Sequence, residues 1–99
     1  MDMRVISVKR LKVFWSKHPA GKSRLEAWFA EAKKSKWRTP DDIRKKYKTA
    51  SILKNNRVVF RIKGNEYRLV AAIRYDLQIV FIRFIGTHSE YDRINAKEI

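Results

Sequence analysis

The alternation of apolar and polar residues is clearest in the second half of the chain, where it predicts three consecutive strands. In the first of them, Val58, Phe60 and Ile62 point to one face and basic residues point to the other, as in a strand with one buried face. Gly64-Asn65 has the composition of a tight turn, so the first two strands should form a hairpin; Asp76 marks the next turn. The predicted strands are Arg57–Lys63, Tyr67–Tyr75 and Gln78–Ile85.

The first half of the chain has the periodicity of helices instead. Val8, Leu11 and Trp15 recur at helical spacing and predict a helix from an N-cap at Ser7 to about Lys17. Further helices are predicted at about Lys22–Lys36 and, after an N-cap at Thr39, at Pro40–Tyr47. The remaining predictions are a short strand at Met1–Ile6, an irregular segment at Ala50–Leu53, a possible short helix after Tyr91, and a last few residues that fray.

This order of elements predicts one α+β domain that spans residues 1–99. The N-terminal strand and the three-stranded C-terminal meander would form a small, twisted, mainly antiparallel sheet with helices on one face. The chain has no cysteine, which excludes disulfides and thiolate metal sites. It has no apolar run long enough to span a membrane and no signal-peptide pattern, so the expected location is the cytoplasm.

Net charge narrows the classes of function. The chain has 24 Lys and Arg residues against 10 Asp and Glu residues, which gives a formal net charge of +14. A field of this sign and size favours a polyanionic partner such as nucleic acid, an anionic membrane or an acidic protein.

Several of these cations lie on the predicted sheet. Arg61 and Lys63 share one face of the first strand, while Arg68 and Arg83 are single cations in otherwise apolar strands. If the register brings all four to one face, they repel one another across the strands, which would destabilise the sheet in the absence of an anion. Arg68 is therefore expected to face a polar cleft rather than the core.

Directly after the third strand, the chain offers His88 and Tyr91. Both side chains can transfer protons, and a cationic sheet beside them would suit phosphodiester chemistry. The second histidine, His18, follows a helix end and is predicted to be a cap or surface residue. The two histidines are far apart and no acidic cluster accompanies them, so neither a metal site nor a cofactor is expected.

Three segments resemble the HigB toxins of bacterial type II toxin–antitoxin systems, within the RelE-like superfamily. They are AWFAEAKKSKWRTPDDIRKKY, FRIKGNEYRLVAAI and QIVFIRFIGTHSEYD. The resemblance implies a RelE-like fold and a ribosome-dependent mRNA endoribonuclease that inhibits translation. It also implies neutralisation by a HigA-like antitoxin with a helix-turn-helix domain, through which DNA would be contacted only indirectly.

The resemblance also implies roles for particular residues. Those expected to be catalytic are His88, Lys63, Arg68 and Tyr91, and those expected to bind substrate phosphate are Arg61, Arg83, Arg57 and Asn65. The implied reaction is metal-independent attack of a 2′-hydroxyl that yields a 2′,3′-cyclic phosphate, with His88 as general acid and either Lys63 or Tyr91 as base. A non-catalytic RNA- or ribosome-binding module is the alternative, while a DNA-binding regulator is less well supported because no helix-turn-helix pattern is evident.

Overall fold

A five-stranded sheet forms the centre of the fold. The computed structural model describes residues 2–99, and its strands are β1 (Arg4–Ile6), β2 (Ser51–Ile52), β3 (Arg57–Ile62), β4 (Tyr67–Arg74) and β5 (Ile79–Thr87). They lie in the order β1-β5-β4-β3-β2, with β1 parallel to β5 and every other pair antiparallel. The predicted N-terminal strand and three-stranded meander are confirmed, with Met1 outside the described residues.

Residues 51–52 correct the sequence-based expectation of an irregular segment. Ser51 pairs with Val59 and Ile52 with Val58, so this segment forms the edge strand β2. Two residues are too few for a period-2 pattern to be recognised, and the pairing depends on a partner strand further along the chain.

Four helices accompany the sheet: α1 (Lys9–Lys17), α2 (Lys22–Lys34), α3 (Pro40–Lys46) and α4 (His88–Tyr91). A single 3₁₀ turn, Pro19–Gly21, joins α1 to α2. Helix α2 ends two residues before the predicted Lys36, because Ser35 is extended. Helix α4 ends at Tyr91 rather than following it, which corrects the prediction for the C-terminus. None of the helices within residues 2–99 is long and apolar enough to cross a membrane.

The two predicted helix caps have different outcomes. The Thr39 side chain accepts a hydrogen bond from the Asp42 N–H, and the Asp42 carboxylate accepts the Thr39 N–H at 3.2 Å, which confirms the cap of α3. The carboxylate also accepts the Arg38 N–H, and this bond is the main reason that the pKa of Asp42 is lowered. The predicted Ser7 cap is wrong. Ser7 has a φ of +71° and accepts the Arg10 N–H with its main-chain carbonyl, while Val8 occupies the N-cap position.

The larger hydrophobic core lies between the sheet and helices α1 and α2. Trp28 of α2 packs edge-on against Phe60 of β3, with ring centroids 5.3 Å apart. Trp37 is also buried and stacks on the same Phe60 ring at 6.0 Å. The alternating residues of β3 therefore point to the helices as predicted, and the next residues along the strand point to the opposite face.

That opposite face, called here the second face, is covered in part by the C-terminal segment 92–99. Val59 and Val70 form a small core with Ala96. The Arg57 guanidinium donates to a main-chain oxygen of Ile99 through Nε at 3.0 Å and Nη2 at 2.5 Å, and Nη1 donates to the Asn55 carbonyl. The last residues are therefore packed on the sheet, which corrects the expectation that they fray.

The Arg57 contacts generate a prediction about stability. Arg57→Ala removes three hydrogen bonds to main-chain oxygens, so the free energy of unfolding should fall by about 1–2 kcal/mol. Arg83→Ala is the matched control, because Arg83 is exposed and forms no hydrogen bond or ion pair within the described chain; its effect should stay within about 0.5 kcal/mol. Urea denaturation measures both changes. Equal decreases in the free energy of unfolding would contradict the inference that Arg57 attaches the C-terminal segment to the sheet.

Candidate active site

Two cations face each other on the second face. Arg61 of β3 and Arg68 of β4 are direct cross-strand partners, and Arg68 is in turn opposite Gly86 of β5. Side chains at paired positions point to the same face and lie close together. The structure thus brings together two of the predicted cations, in an arrangement whose repulsion an anion would relieve.

Arg68 is the more enclosed of the two. Only 6% of its surface is exposed, its Nη1 donates to the Asn65 carbonyl at 2.7 Å, and its Cζ lies 5.8 Å from the centre of the Tyr91 ring. The Arg61 guanidinium donates to the Thr49 carbonyl and is more exposed. The predicted cleft-facing position of Arg68 is therefore a largely buried one on the second face, stabilised by a carbonyl and an aromatic ring.

Lys63 leaves the strand geometry that the alternation predicts. Its φ is +54°, so it belongs to the hairpin turn, and its Nζ lies 3.2 Å and 3.3 Å from the two carboxylate oxygens of Glu66. The predicted phosphate-binding residue Asn65 lies in the same turn, where its main-chain oxygen binds Arg68. Glu66 is a charged member of the site that the sequence reasoning missed, although its spacing of three residues from Lys63 within a tight turn could have indicated the pair.

Helix α4 brings the proton-transfer groups to this end of the sheet. Thr87 accepts the Glu90 N–H with its side-chain oxygen at 3.3 Å, and Glu90 accepts the Thr87 N–H at 2.7 Å. The hydrogen bond from the Thr87 N–H is the largest effect on Glu90 and lowers its pKa. The N–H of His88 donates to the Glu66 carbonyl at 2.9 Å. The reciprocal cap and this hydrogen bond therefore fix the start of α4 against the hairpin.

The His88 side chain is accessible and has an acidic neighbour. It is 56% exposed, and its Nδ1 lies 3.4 Å from an Asp92 carboxylate oxygen, an ion pair whenever the imidazole is protonated. This neighbour engages Nδ1 and leaves Nε2 for a substrate. Asp92 was not singled out from the sequence, although it follows His88 at the helical spacing of four residues.

Arg83 and Arg57 do not join the Arg61–Arg68 pair. Phe84 pairs with Val70 and Ile82 with Ala71, so Arg83 is the extra residue of a β-bulge and is exposed. The Arg57 donors are occupied by the C-terminal segment. Their roles in phosphate binding stay predictions.

Within residues 2–99, no group of three His, Asp or Glu side chains is placed to hold a metal ion. The site consists instead of cations, one imidazole, one phenol and the carboxylates paired with them. Such a set can stabilise negative charge and move protons.

The sheet topology and the four helices define a small α+β protein, and this architecture is compatible with a RelE-like fold. A family model described as HigB_toxin, RelE-like toxic component of a toxin-antitoxin system, matches residues 21–94. The chain belongs to this family, and the resemblance found in the sequence is confirmed. The chain is similar to the mRNA interferase toxin HigB of Escherichia coli (strain K12), with 31% identity over 96 residues that cover 95% of this chain and 92% of the relative. Similarity to the mRNA interferase HigB of Shigella flexneri has the same extent.

The cap of α4 generates a prediction. Thr87→Val keeps the shape of the side chain but removes the acceptor for the Glu90 N–H, which should cost about 1 kcal/mol and speed exchange of α4 amides roughly fivefold. Thr39→Val removes the equivalent cap of α3 and serves as control: it should lower overall stability by a similar amount without changing α4 exchange selectively. Amide hydrogen exchange distinguishes the two.

The lowered pKa of Glu90 fixes the sign of the pH dependence. A carboxylate whose pKa is lower in the folded chain than in the unfolded chain stabilises the fold. This stabilisation is complete at a pH above the pKa of the unfolded chain, and it is lost as the pH falls through the pKa of the folded chain. Protection of the α4 amides from hydrogen exchange should therefore decrease as the pH falls below 4.5, the usual pKa of a glutamate carboxyl. Protection of α4 that instead decreases as the pH rises from 5 to 7 would contradict the cap.

Proposed function

We propose that this chain is the toxin of a type II toxin–antitoxin pair and acts as a ribosome-dependent, metal-independent mRNA endoribonuclease. The observation that carries the proposal is the Arg61–Arg68 pair on the second face, where the Tyr91 ring of α4 lies 5.8 Å from Arg68. His88 begins the same helix. The relatives are named mRNA interferases, which supplies the class of substrate. A phosphodiester at this site would provide the negative charge that the paired arginines lack.

The proposed reaction is an internal transfer within the RNA. The 2′-oxygen attacks the adjacent phosphorus and loses its proton as the bond from phosphorus to the 5′-oxygen breaks. The products are a 2′,3′-cyclic phosphate and a 5′-hydroxyl, and no water is consumed. The pentacoordinate transition state gains negative charge, which Arg61, Arg68 and Lys63 would stabilise at fixed positions.

His88 is the proposed general acid. Asp92 engages Nδ1, so Nε2 is the nitrogen that would donate a proton to the leaving 5′-oxygen. Two groups remain candidates for the base that accepts the 2′-hydroxyl proton. They are Tyr91, which lies over Arg68, and Lys63, which would accept a proton only as a neutral amine and not as the ammonium paired with Glu66.

Two features support the proposed dependence on the ribosome. The His88 imidazole is exposed and its ion-pair partner among the described residues is the Asp92 carboxylate, so external positioning of the message would have to supply the reactive geometry. Residues 1–54 contain 16 basic and 5 acidic residues, a net charge of +11, and would supply the attraction to ribosomal RNA. The chain would therefore act in the cytoplasm, where messages are translated.

The proposed protein partner is a HigA-like antitoxin with a helix-turn-helix domain. Its support is the family itself, whose description is the toxic component of a toxin-antitoxin system. A protein with so large a positive charge is suited to an acidic or amphipathic antitoxin segment. Contact with DNA would then arise only through the antitoxin.

Replacement of His88 separates cleavage from binding. His88→Ala should reduce cleavage of a ribosome-bound message by about 10²–10⁴-fold, because a general acid is lost, and leave ribosome co-sedimentation unchanged. Ser89→Ala, which changes the next residue of the same exposed helix, should cleave normally. Wild-type cleavage by folded His88→Ala would remove His88 from the mechanism. Undetectable cleavage by the wild-type chain on translating ribosomes, with binding intact, would favour the non-catalytic binding module.

Salt dependence tests the phosphate contacts. Binding to ribosomes should weaken steeply as salt rises, and Arg61→Gln should reduce the slope of log affinity against log salt by roughly one. Arg74→Gln is the matched control, because the Arg74 guanidinium is engaged by Asp76 at 2.9 Å and lies at the far end of β4. Equal effects of the two replacements would show that Arg61 contributes only to net charge.

A further inference from the structure

The outer edge of β5 is only partly covered. Its parallel partner β1 pairs with Ile79, Val80 and Phe81, and then the chain turns away at Ser7. Strand β5 continues to Thr87, so its second half has no strand partner on this side within the described chain. An open strand edge presents main-chain donors and acceptors to another extended chain.

The hydrogen bonds around the end of β5 show which groups face that edge. The His88 N–H points toward the hairpin, where it bonds to the Glu66 carbonyl, whereas the Thr87 N–H bonds to its own cap residue Glu90. Main-chain groups alternate in direction along an antiparallel strand. The N–H and C=O of Ile85 therefore point to the open edge, like those of Thr87.

This edge forms one side of a cleft of about 580 Å³ between β5 and α1. On the α1 side, the lining residues recur at intervals of three and four and so belong to one stripe of the helix. The cleft is lined by Ser7, Lys9, Arg10, Val13, Phe14, Lys17, His18, Phe84, Ile85 and Glu90. We call it the α1–β5 groove.

The chemistry of the groove is apolar along its walls and positive overall. Val13 is 49% exposed, one of two large hydrophobic residues so exposed within residues 2–99, and Phe84 and Ile85 are half-buried opposite it. The lining contributes three cations, one imidazole and a single carboxylate. That carboxylate, Glu90, already accepts the Thr87 N–H. The groove therefore complements a chain with both acidic and apolar side chains.

We propose that the α1–β5 groove binds an extended acidic peptide segment of a partner protein, which adds to the open edge of β5 as a further strand. Main-chain hydrogen bonds would supply affinity, and the side chains that face α1 would meet Val13 and the cations of the same helix stripe. With nine residues, α1 is about 13 Å long, which matches roughly four extended residues. An RNA strand could use the cations but has no peptide groups to pair with the Ile85 main chain.

This proposal does not require the nuclease reaction, although Glu90 of the groove also caps α4, which carries His88. The groove lies on the outer edge of β5, whereas Arg61 and Arg68 lie on β3 and β4. Loss of peptide binding and loss of cleavage can therefore be measured separately.

The test uses the full chain and a fluorescein-labelled octapeptide of alternating Glu and Val, with fluorescence anisotropy as the readout. Val13→Glu places an acid in the groove and removes an apolar contact, so affinity should fall at least about tenfold. Leu77→Glu is the matched control: Leu77 is 56% exposed in the turn between β4 and β5, away from the groove, and its replacement changes net charge equally. Affinity for this control should stay within about twofold of the unmodified chain, because only net charge changes.

A second peptide tests the strand pairing itself. Methylation of alternate peptide nitrogens on the edge facing β5 keeps all charges but removes the main-chain donors, so binding should be lost, and only the unmethylated peptide should protect the Ile85 amide from exchange. The proposal would be overturned if the methylated peptide bound as tightly as the unmethylated one. It would also be overturned if the unmethylated peptide bound Val13→Glu as tightly as the unmodified chain. The affinity of an oligouridylate for the two chains is the further comparison. If Val13→Glu weakens binding of the oligouridylate but not of the peptide, the groove is an RNA site and the proposal is overturned.

Discussion

The pairing of β3 with β4 is the constraint on which the site depends. The same register that places Phe60 opposite Leu69 in the core places Arg61 opposite Arg68 on the second face. A slip of one residue would turn Val58, Phe60 and Ile62 away from the helices, so burial of the core fixes the register strongly. The fold therefore holds two like charges together, and the energy for doing so comes from the opposite face of the same strands.

The contacts around the arginines limit their repulsion without neutralising it. Arg68 contacts the Tyr91 ring and the Asn65 carbonyl, and Arg61 contacts the Thr49 carbonyl, so each guanidinium is solvated by dipoles or a π-face rather than by a carboxylate. The carboxylates of Glu66 and Asp92 are paired instead with Lys63 and His88. A positive potential is thus preserved at the pair itself, in the form that a phosphodiester in its transition state would use.

Several features with a clear local pattern could be predicted from the sequence, whereas the Ser7 cap and some contacts between distant residues could not. The alternation through Phe60 gave the strand and its buried face, and Thr39 with Asp42 gave a cap that needs only four consecutive residues. The contact of Arg57 with Ile99 spans 42 positions and has no local signature. The bulge at Arg83 was hidden for another reason: the strand is apolar on both faces, so an extra residue does not disturb any visible alternation.

The chemical identity of the cut ends tests the central claim most directly. Translating ribosomes carrying one defined message are incubated with the purified chain, and the fragments are isolated and labelled. We expect downstream fragments with a 5′-hydroxyl, labelled by polynucleotide kinase without prior phosphatase, and upstream fragments that end in a 2′,3′-cyclic phosphate. A message with a single 2′-deoxy nucleotide at the cleavage position should stay intact there. Fragments with 5′-phosphates, or unimpaired cleavage at the 2′-deoxy position, would contradict internal attack by the 2′-hydroxyl at the Arg61–Arg68 site.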